Sequence, residues 1–131
     1  GIPYPGENAS NECIKDLLLS LAKLGSKKIV ITGVESADHK FGFMGYDSET
    51  KKFFEYYTPK VQMKSHGTGD VFASTFTGAL MNDYNIQDSL KIAADFTKAC
   101  INNTYNDPEA VNYAVNFESE IPYLLKLIRK V

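Results

Sequence analysis

The sequence predicts an α/β fold, and two observations support this class. A helical pattern in residues 14–24 is followed, after a tight turn, by the short apolar and β-branched run Lys28-Ile29-Val30-Ile31-Thr32. Such a run is typical of a strand that is covered on both faces, as in a parallel sheet. Three further helical patterns follow later in the chain, after the predicted strands. The order predicts a mainly parallel sheet flanked by helices, with few strands for so many helices.

The first helix and its strand have clear boundaries. Asn8 and Ser10 both offer N-caps, and Gly25 supplies the stop. The strand that begins at Lys28 is predicted to end at Gly33. The apolar residues of the helix keep helical spacing, and they are Ile14, Leu17, Leu18, Leu21 and Leu24.

Two aromatic runs, residues 41–46 and 53–57, flank the polar stretch 47–52. Aromatic, β-prone runs around a polar turn are typical of an antiparallel hairpin. A third extended stretch is predicted from Pro59 to Met63.

Three helices complete the predicted fold. Residues 70 to about 83 are dense in small and apolar side chains, which predicts a buried helix. Asn85 is the predicted cap of a helix over residues 86–103. A last amphipathic helix starts near Ser119, with Pro122 tolerated in its first turn.

Composition excludes several classes of protein. The 131 residues carry a net charge of −2 and no cluster of basic residues that would bind nucleic acid. No apolar run approaches the roughly 18 residues of a membrane span. The two cysteines, Cys13 and Cys100, lie far apart in helical patterns. We therefore expect a soluble, cytoplasmic protein with reduced cysteines and no nucleic-acid or membrane partner.

The chemistry is carried by Gly67-Thr68-Gly69-Asp70, between an extended stretch and a helix. The glycines permit positive φ and a close approach of the backbone to a ligand. The start of the helix offers free N–H groups and partial positive charge, which suit a phosphoryl group. Asp70 is placed to accept a proton from an attacking hydroxyl. By itself the motif is a weak signal, because four such residues more often form a simple turn followed by a helix-starting Asp.

The surrounding stretch, residues 66–74, resembles the C-terminal signature of the ribokinase superfamily, Gly-x-Gly-Asp-x-Phe-x-small. The Gly-Thr-Gly-Asp form is similar to that of pyridoxal kinases, whereas sugar kinases more often have Gly-Ala-Gly-Asp. Hydroxymethylpyrimidine kinases tend to have Cys where Asp70 stands. Residues 29–34 resemble the strand whose Thr meets ATP phosphates, and residues 117–120 resemble the start of the family's last helix. The resemblance covers nearly the whole chain.

The resemblance implies a role for each matching residue. Asp70 would be the base that deprotonates the 5′-hydroxymethyl group of pyridoxal, pyridoxine or pyridoxamine. The backbone N–H groups of Gly67, Thr68 and Gly69 would form the anion hole. The residues expected to bind the nucleotide are Thr32 and Gly33 at its phosphates, and Thr58, Pro59, Lys60 and Val61 beside adenine and ribose.

The resemblance also implies the setting of this site. It implies a ribokinase-like three-layer α/β/α fold, of which residues 1–131 are the C-terminal ATP-binding and catalytic part. The N-terminal substrate-binding part, with the vitamin pocket and a segment that organises Mg²⁺, is absent, so this chain alone is expected to be inactive. ATP and Mg²⁺ are implied, with a monovalent cation as a further candidate, and no residue here is assigned as a metal ligand. The full-length protein is expected to be a homodimer.

Two other functions stay open. One is a different superfamily kinase that acts on a sugar, a nucleoside or hydroxymethylpyrimidine. The other is a nucleotide-binding piece without activity of its own. Asp70 favours a kinase over such a binder.

Overall fold

The computed structural model describes residues 2–3, 6, 9–59, 66–110 and 114–130. The chain divides into two compact units, Gly1–Lys60 and Val61–Val131. The first unit contains α1 (Asn11–Ala22), β1 (Lys28–Glu35), β2 (Phe41–Asp47) and β3 (Lys52–Thr58). The second contains α2 (Thr68–Met81), α3 (Ile86–Asn106), a 3₁₀ turn (Glu118–Glu120) and α4 (Ile121–Lys130). The prediction of an α/β fold is confirmed.

Helix α1 begins at one of the two predicted caps. The Ser10 hydroxyl accepts a hydrogen bond from the backbone N–H of Cys13 at 3.3 Å. The buried side chains of α1, Ile14 and Leu18, pack against the sheet and form the core of the first unit. The other buried members of this core are Ile29, Val34, Met44 and Tyr46.

The sheet of the first unit is antiparallel throughout its described strands, in the order β1-β2-β3. The predicted hairpin of β2 and β3 is present, but the prediction of a mainly parallel sheet is wrong for these strands. The connections, residues 36–40 and 48–51, are too short for a parallel pair, which needs a crossover of about a dozen residues or more. An apolar run indicates a covered strand but not the direction of its neighbour.

Strand β1 also runs past its predicted end at Gly33. Thr32 lies opposite Phe43 and Val34 opposite Gly42, so Gly33 is an extra residue on β1. Its φ of 72° is the left-handed conformation that glycine adopts readily at a β-bulge. The strand therefore bends at Gly33 and continues to Glu35 instead of stopping.

In the second unit, α2 and α3 pack against each other, and α3 supplies most of the buried residues. The predicted cap of α3 is confirmed, because the Asn85 side chain accepts from the N–H of Asp88 at 2.8 Å. Helix α2 is less buried than its composition predicts: Phe72 and Ala79 are its buried residues. Small residues make a helix apolar overall, but they do not say which of its faces are covered.

Helix α4 follows the 3₁₀ turn that contains the predicted start, Ser119. Pro122 lies in its first turn, where the missing N–H costs no helical hydrogen bond. Leu124 and Leu127 pack against the buried cluster of Phe96, Cys100 and Val115. No helix within the described ranges has the length and apolar character that a membrane crossing requires.

Candidate active site

The start of α2 is shaped by Gly67. This residue is the N-cap, with φ 90° and ψ −6°, and it has no side chain with which to cap the helix. A non-glycine residue pays roughly 1–2 kcal/mol in this left-handed conformation. The first helical hydrogen bond runs from the N–H of Val71 to the carbonyl of Gly67 at 3.0 Å. The N–H groups of Thr68, Gly69 and Asp70 therefore have no acceptor within the helix.

These N–H groups lie at the positive end of the α2 dipole, which favours an anion. Asp70 is in the first turn of α2 and is exposed, as is Gly69. A Cβ added at Gly69 would meet no heavy atom of the described chain within 4 Å. The fold therefore leaves room for a side chain at position 69. A ligand that approaches the backbone closely would, however, require glycine there.

The structure adds one neighbour that the sequence did not suggest. A methyl carbon of Val115, Cγ1, lies 3.7 Å from the position that a Cβ on Gly67 would take. Val115 is buried and clusters with Phe96 and Cys100, and Val71 packs against this cluster. Because Val115 lies in an irregular segment, no periodicity marks it as a neighbour of the turn.

The cluster behind the turn is apolar and uncharged. Burial raises the pKa of the Cys100 thiol to about 11, and the carboxylate of Glu120 adds to the shift. Cys100 is therefore a neutral core residue at physiological pH, as its sequence context predicts.

The other predicted site residues lie in the first unit or outside the described residues. Thr32 and the bulged Gly33 are exposed on β1, and Thr58 is half-buried at the end of β3. The registers place Thr32 and Thr58 toward the same end of the sheet, on two strands separated by β2. Pro59 follows β3 and is exposed, whereas Lys60 and Val61 lie outside the described residues. Of the predicted site residues, Gly67–Asp70 lie together, at the N-cap and in the first turn of α2.

Two clefts of the second unit do not involve this turn. One, of about 560 Å³, is lined by Ala99, Asn102, Asn103, Asn106, Asp107 and Glu120. An apolar cleft of about 330 Å³ lies among residues of α2, α3 and α4. The turn at Gly67 instead opens at the surface, with Gly69 and Asp70 exposed.

The described residues were compared with the ligand set that a magnesium ion needs. Among them, no group of three or more His, Cys, Asp or Glu side chains could hold a metal ion. Asp70 is the one carboxylate in the first turn of α2. The described residues therefore do not by themselves form the Mg²⁺ site that a kinase implies.

Comparison with solved structures identifies the fold. A Bacteroides thetaiotaomicron protein, provisionally described as a phosphomethylpyrimidine kinase, superposes with a TM-score of 0.82 at 25% identity, over 92% of this chain and 41% of its own. A second crystal form of that protein, with pyridoxal, gives 0.79 at 24% identity, over 93% of this chain and 42% of its own. Pyridoxal kinase from Entamoeba histolytica gives 0.73 at 18% identity, with coverages of 92% and 41%. This chain therefore has the fold of the corresponding part of these kinases, and spans about two-fifths of their length.

No curated protein matches the chain significantly. The sequence model of the phosphomethylpyrimidine kinase family, however, matches residues 6–115. The match includes β1 with its bulge, the hairpin, the Gly67–Asp70 turn and all of α3. It therefore agrees with the predicted ribokinase-like kinase, and the chain belongs to the phosphomethylpyrimidine kinase family.

Proposed function

We propose that this chain carries the phosphoryl-transfer site of a kinase that uses ATP to phosphorylate the 5′-hydroxyl of a B6 vitamer: pyridoxal, pyridoxine or pyridoxamine. The observation that carries this proposal is the open start of α2, where a left-handed Gly67 leaves the helix uncapped and Asp70 lies in the first turn. The B6 substrate is supported by a structural relative named as a pyridoxal kinase and by one crystallised with pyridoxal.

The anion hole acts on the transferring group. As the γ-phosphoryl leaves ADP, negative charge is spread over its equatorial oxygens. The N–H groups of Gly67, Thr68 and Gly69 would donate hydrogen bonds to these oxygens, and the α2 dipole adds to the attraction. The donors are held by the helix and need little reorganisation, which is why they stabilise the transition state effectively.

Asp70 supplies the base. Its carboxylate would accept the proton of the 5′-hydroxyl while the oxygen of that hydroxyl attacks the γ-phosphorus. The bond from this phosphorus to the bridging oxygen of ADP breaks, ADP leaves, and the vitamer becomes a 5′-phosphate. The exposure of Asp70 allows an acceptor to reach it.

The remaining predicted residues would bind the nucleotide. Thr32 and Gly33 lie at a bulge, a feature that is frequent beside active sites, and are proposed to contact the phosphates. The adenine and ribose are assigned to Thr58, Pro59, Lys60 and Val61. Mg²⁺ would enter with the ATP phosphates and neutralise part of their charge.

A second acceptor, hydroxymethylpyrimidine, is favoured by the description of the matching family. It also presents a hydroxymethyl group on a heteroaromatic ring, so the same anion hole and base would serve it. Asp70 favours a B6 vitamer as the acceptor, because the hydroxymethylpyrimidine kinases tend to have Cys at this position.

A substrate panel tests the proposal. The full-length protein would be assayed for ADP release with ATP and Mg²⁺ on pyridoxal, pyridoxine, pyridoxamine, hydroxymethylpyrimidine, ribose and adenosine. We expect a B6 vitamer to give the highest kcat/KM. Preference for hydroxymethylpyrimidine would select the second acceptor, and preference for ribose or adenosine would refute both.

A further inference from the structure

We propose that Thr104, near the end of α3, is a positioning residue for the anion-binding turn at Gly67 and acts on it through Val115. The inference rests on the proposed function of that turn. Thr104 lies far from the Gly67–Asp70 motif in the sequence and would not itself touch a substrate.

Thr104 makes two hydrogen bonds in a fully buried position. Its hydroxyl donates to the carbonyl of Cys100 at 2.7 Å and accepts from the backbone N–H of Asn116 at 2.8 Å. The residue is 1% exposed. Since water does not reach this position, the Asn116 N–H would lose its partner if the hydroxyl were removed.

A second contact fixes Asn116. Its side-chain amide donates to a carboxylate oxygen of Asp107 at 2.8 Å. The other oxygen of that carboxylate accepts from the N–H of Glu109 at 2.9 Å. Asn116 is therefore held to the end of α3 by both its backbone and its side chain.

Val115 precedes Asn116 and transmits this placement. It is buried against Phe96 and Cys100 of α3, and Val71 of α2 packs on the same cluster. Its Cγ1 lies 3.7 Å from the position that a Cβ on Gly67 would take. The N–H of Val71 bonds the carbonyl of Gly67, so the packing of Val71 on this cluster helps to set the position of the turn. Thr104 thus holds Val115 where it supports the turn.

Positioning at this level affects the rate as well as the stability. An anion hole works only if its N–H groups meet the developing charge at hydrogen-bond distance. A displacement of about 1 Å can cost roughly 100-fold in rate. Loss of the Thr104 hydroxyl should therefore lower kcat even in molecules that remain folded.

The test compares two threonines on the same helix in the full-length protein. Thr104→Val removes the bonded hydroxyl, whereas Thr97→Val removes a buried hydroxyl that has no hydrogen-bond partner in the described part of the chain. We expect Thr104→Val to lower kcat by about tenfold or more with a much smaller change in KM for ATP. Thr97→Val should leave both constants unchanged. Thr104→Ser keeps the hydroxyl and should therefore have a kcat close to that of the wild-type protein.

Backbone amide NMR provides a readout that needs no activity. Thr104→Val should shift or broaden the amide signals of residues 67–71, whereas Thr97→Val should not. If Thr104→Val does not fold, Val115→Ala truncates the side chain in the cluster on which Val71 packs, and should show the same kcat loss and the same amide changes.

The outcomes separate the two proposals. If the wild-type protein phosphorylates none of the panel but Thr104→Val perturbs residues 67–71, the positioning role stands and the proposed function falls. If the wild-type protein is active and Thr104→Val matches Thr97→Val in both kcat and amide signals, the positioning role is refuted.

Discussion

Helices α2 and α3 differ in whether a side chain caps the free backbone N–H groups at their N-termini. At α3, the Asn85 side chain accepts from the N–H of Asp88 at 2.8 Å, so one free donor is satisfied within the protein. At α2, the cap is Gly67, which has no side chain that could satisfy a free donor. A good side-chain cap contributes about 1 kcal/mol. Helix α2 lacks this contribution from its N-cap residue. In the proposed function, its N–H groups bind a ligand instead.

The same two turns also contain a matched pair of carboxylates. Asp70 and Asp88 are each the third residue of their helix. Asp88 is tied into its cap, because one of its oxygens accepts from the side-chain amide of Asn85 at 3.0 Å. Asp70 instead is exposed beside an uncapped helix start. This contrast agrees with the proposal that the first turn of α2 binds a ligand, whereas side chains of α3 close its own first turn.

The largest expected effect comes from exchanging these carboxylates for amides in the full-length protein. Asp70→Asn keeps the shape but cannot accept a proton in the same way, so kcat should fall by roughly 10²–10⁴ while ATP still binds. Asp88→Asn is the matched control and should leave kcat unchanged. Steady-state ADP release and ATP titration measure both. Near-wild-type turnover by Asp70→Asn would show that Asp70 is not the base.

Substitutions of Gly67 and Gly69 distinguish a requirement for the left-handed backbone conformation from a requirement for ligand access to the backbone. Gly67→Ala places a side chain at φ 90° and should cost about 1–2 kcal/mol of unfolding free energy as well as activity. Gly69→Ala meets no neighbour in the described chain and should be neutral or stabilising by up to about 1 kcal/mol, since alanine favours helix. Its activity should nevertheless fall, because the methyl group stands where the phosphoryl would approach.

Denaturant unfolding and ADP release, measured on the same samples, distinguish these effects. A Gly69→Ala protein that is both stable and fully active would mean that no ligand approaches the α2 backbone at this position.

The smallest effects should come from the satisfied caps. Ser10→Ala and Asn85→Ala each remove a cap hydrogen bond and should lower the unfolding free energy by about 1 kcal/mol, without changing kcat. Urea denaturation measures the first and ADP release the second. A selective loss of kcat in Asn85→Ala would contradict the contrast between the two helix starts.

Local signals in the sequence carried most of the secondary structure. Ser10 and Asn85 cap their helices as predicted, because a side chain that accepts an N–H three residues later needs only local geometry. The hairpin and the turn before α2 were likewise readable, since aromatic runs and glycine restrict the backbone locally.

Sheet direction and strand length were not local properties. The run that begins at Lys28 suits either direction of pairing, and the register with β2 shows an antiparallel strand that extends through Gly33 to Glu35. The sequence alone could not distinguish a bulge at Gly33 from a strand end, because glycine is common at both.

The sequence by itself predicted the features on which the proposed chemistry rests: a glycine-led helix start, a carboxylate in its first turn and a kinase-like signature around them. Only the tertiary structure decided what supports that turn. Val115 approaches Gly67, and Thr104 holds Asn116, through contacts between segments that are distant along the chain. Hydrogen bonds and packing of this kind depend on how α3 and the irregular segment at residues 114–117 are placed together, and no spacing of residue types encodes that placement.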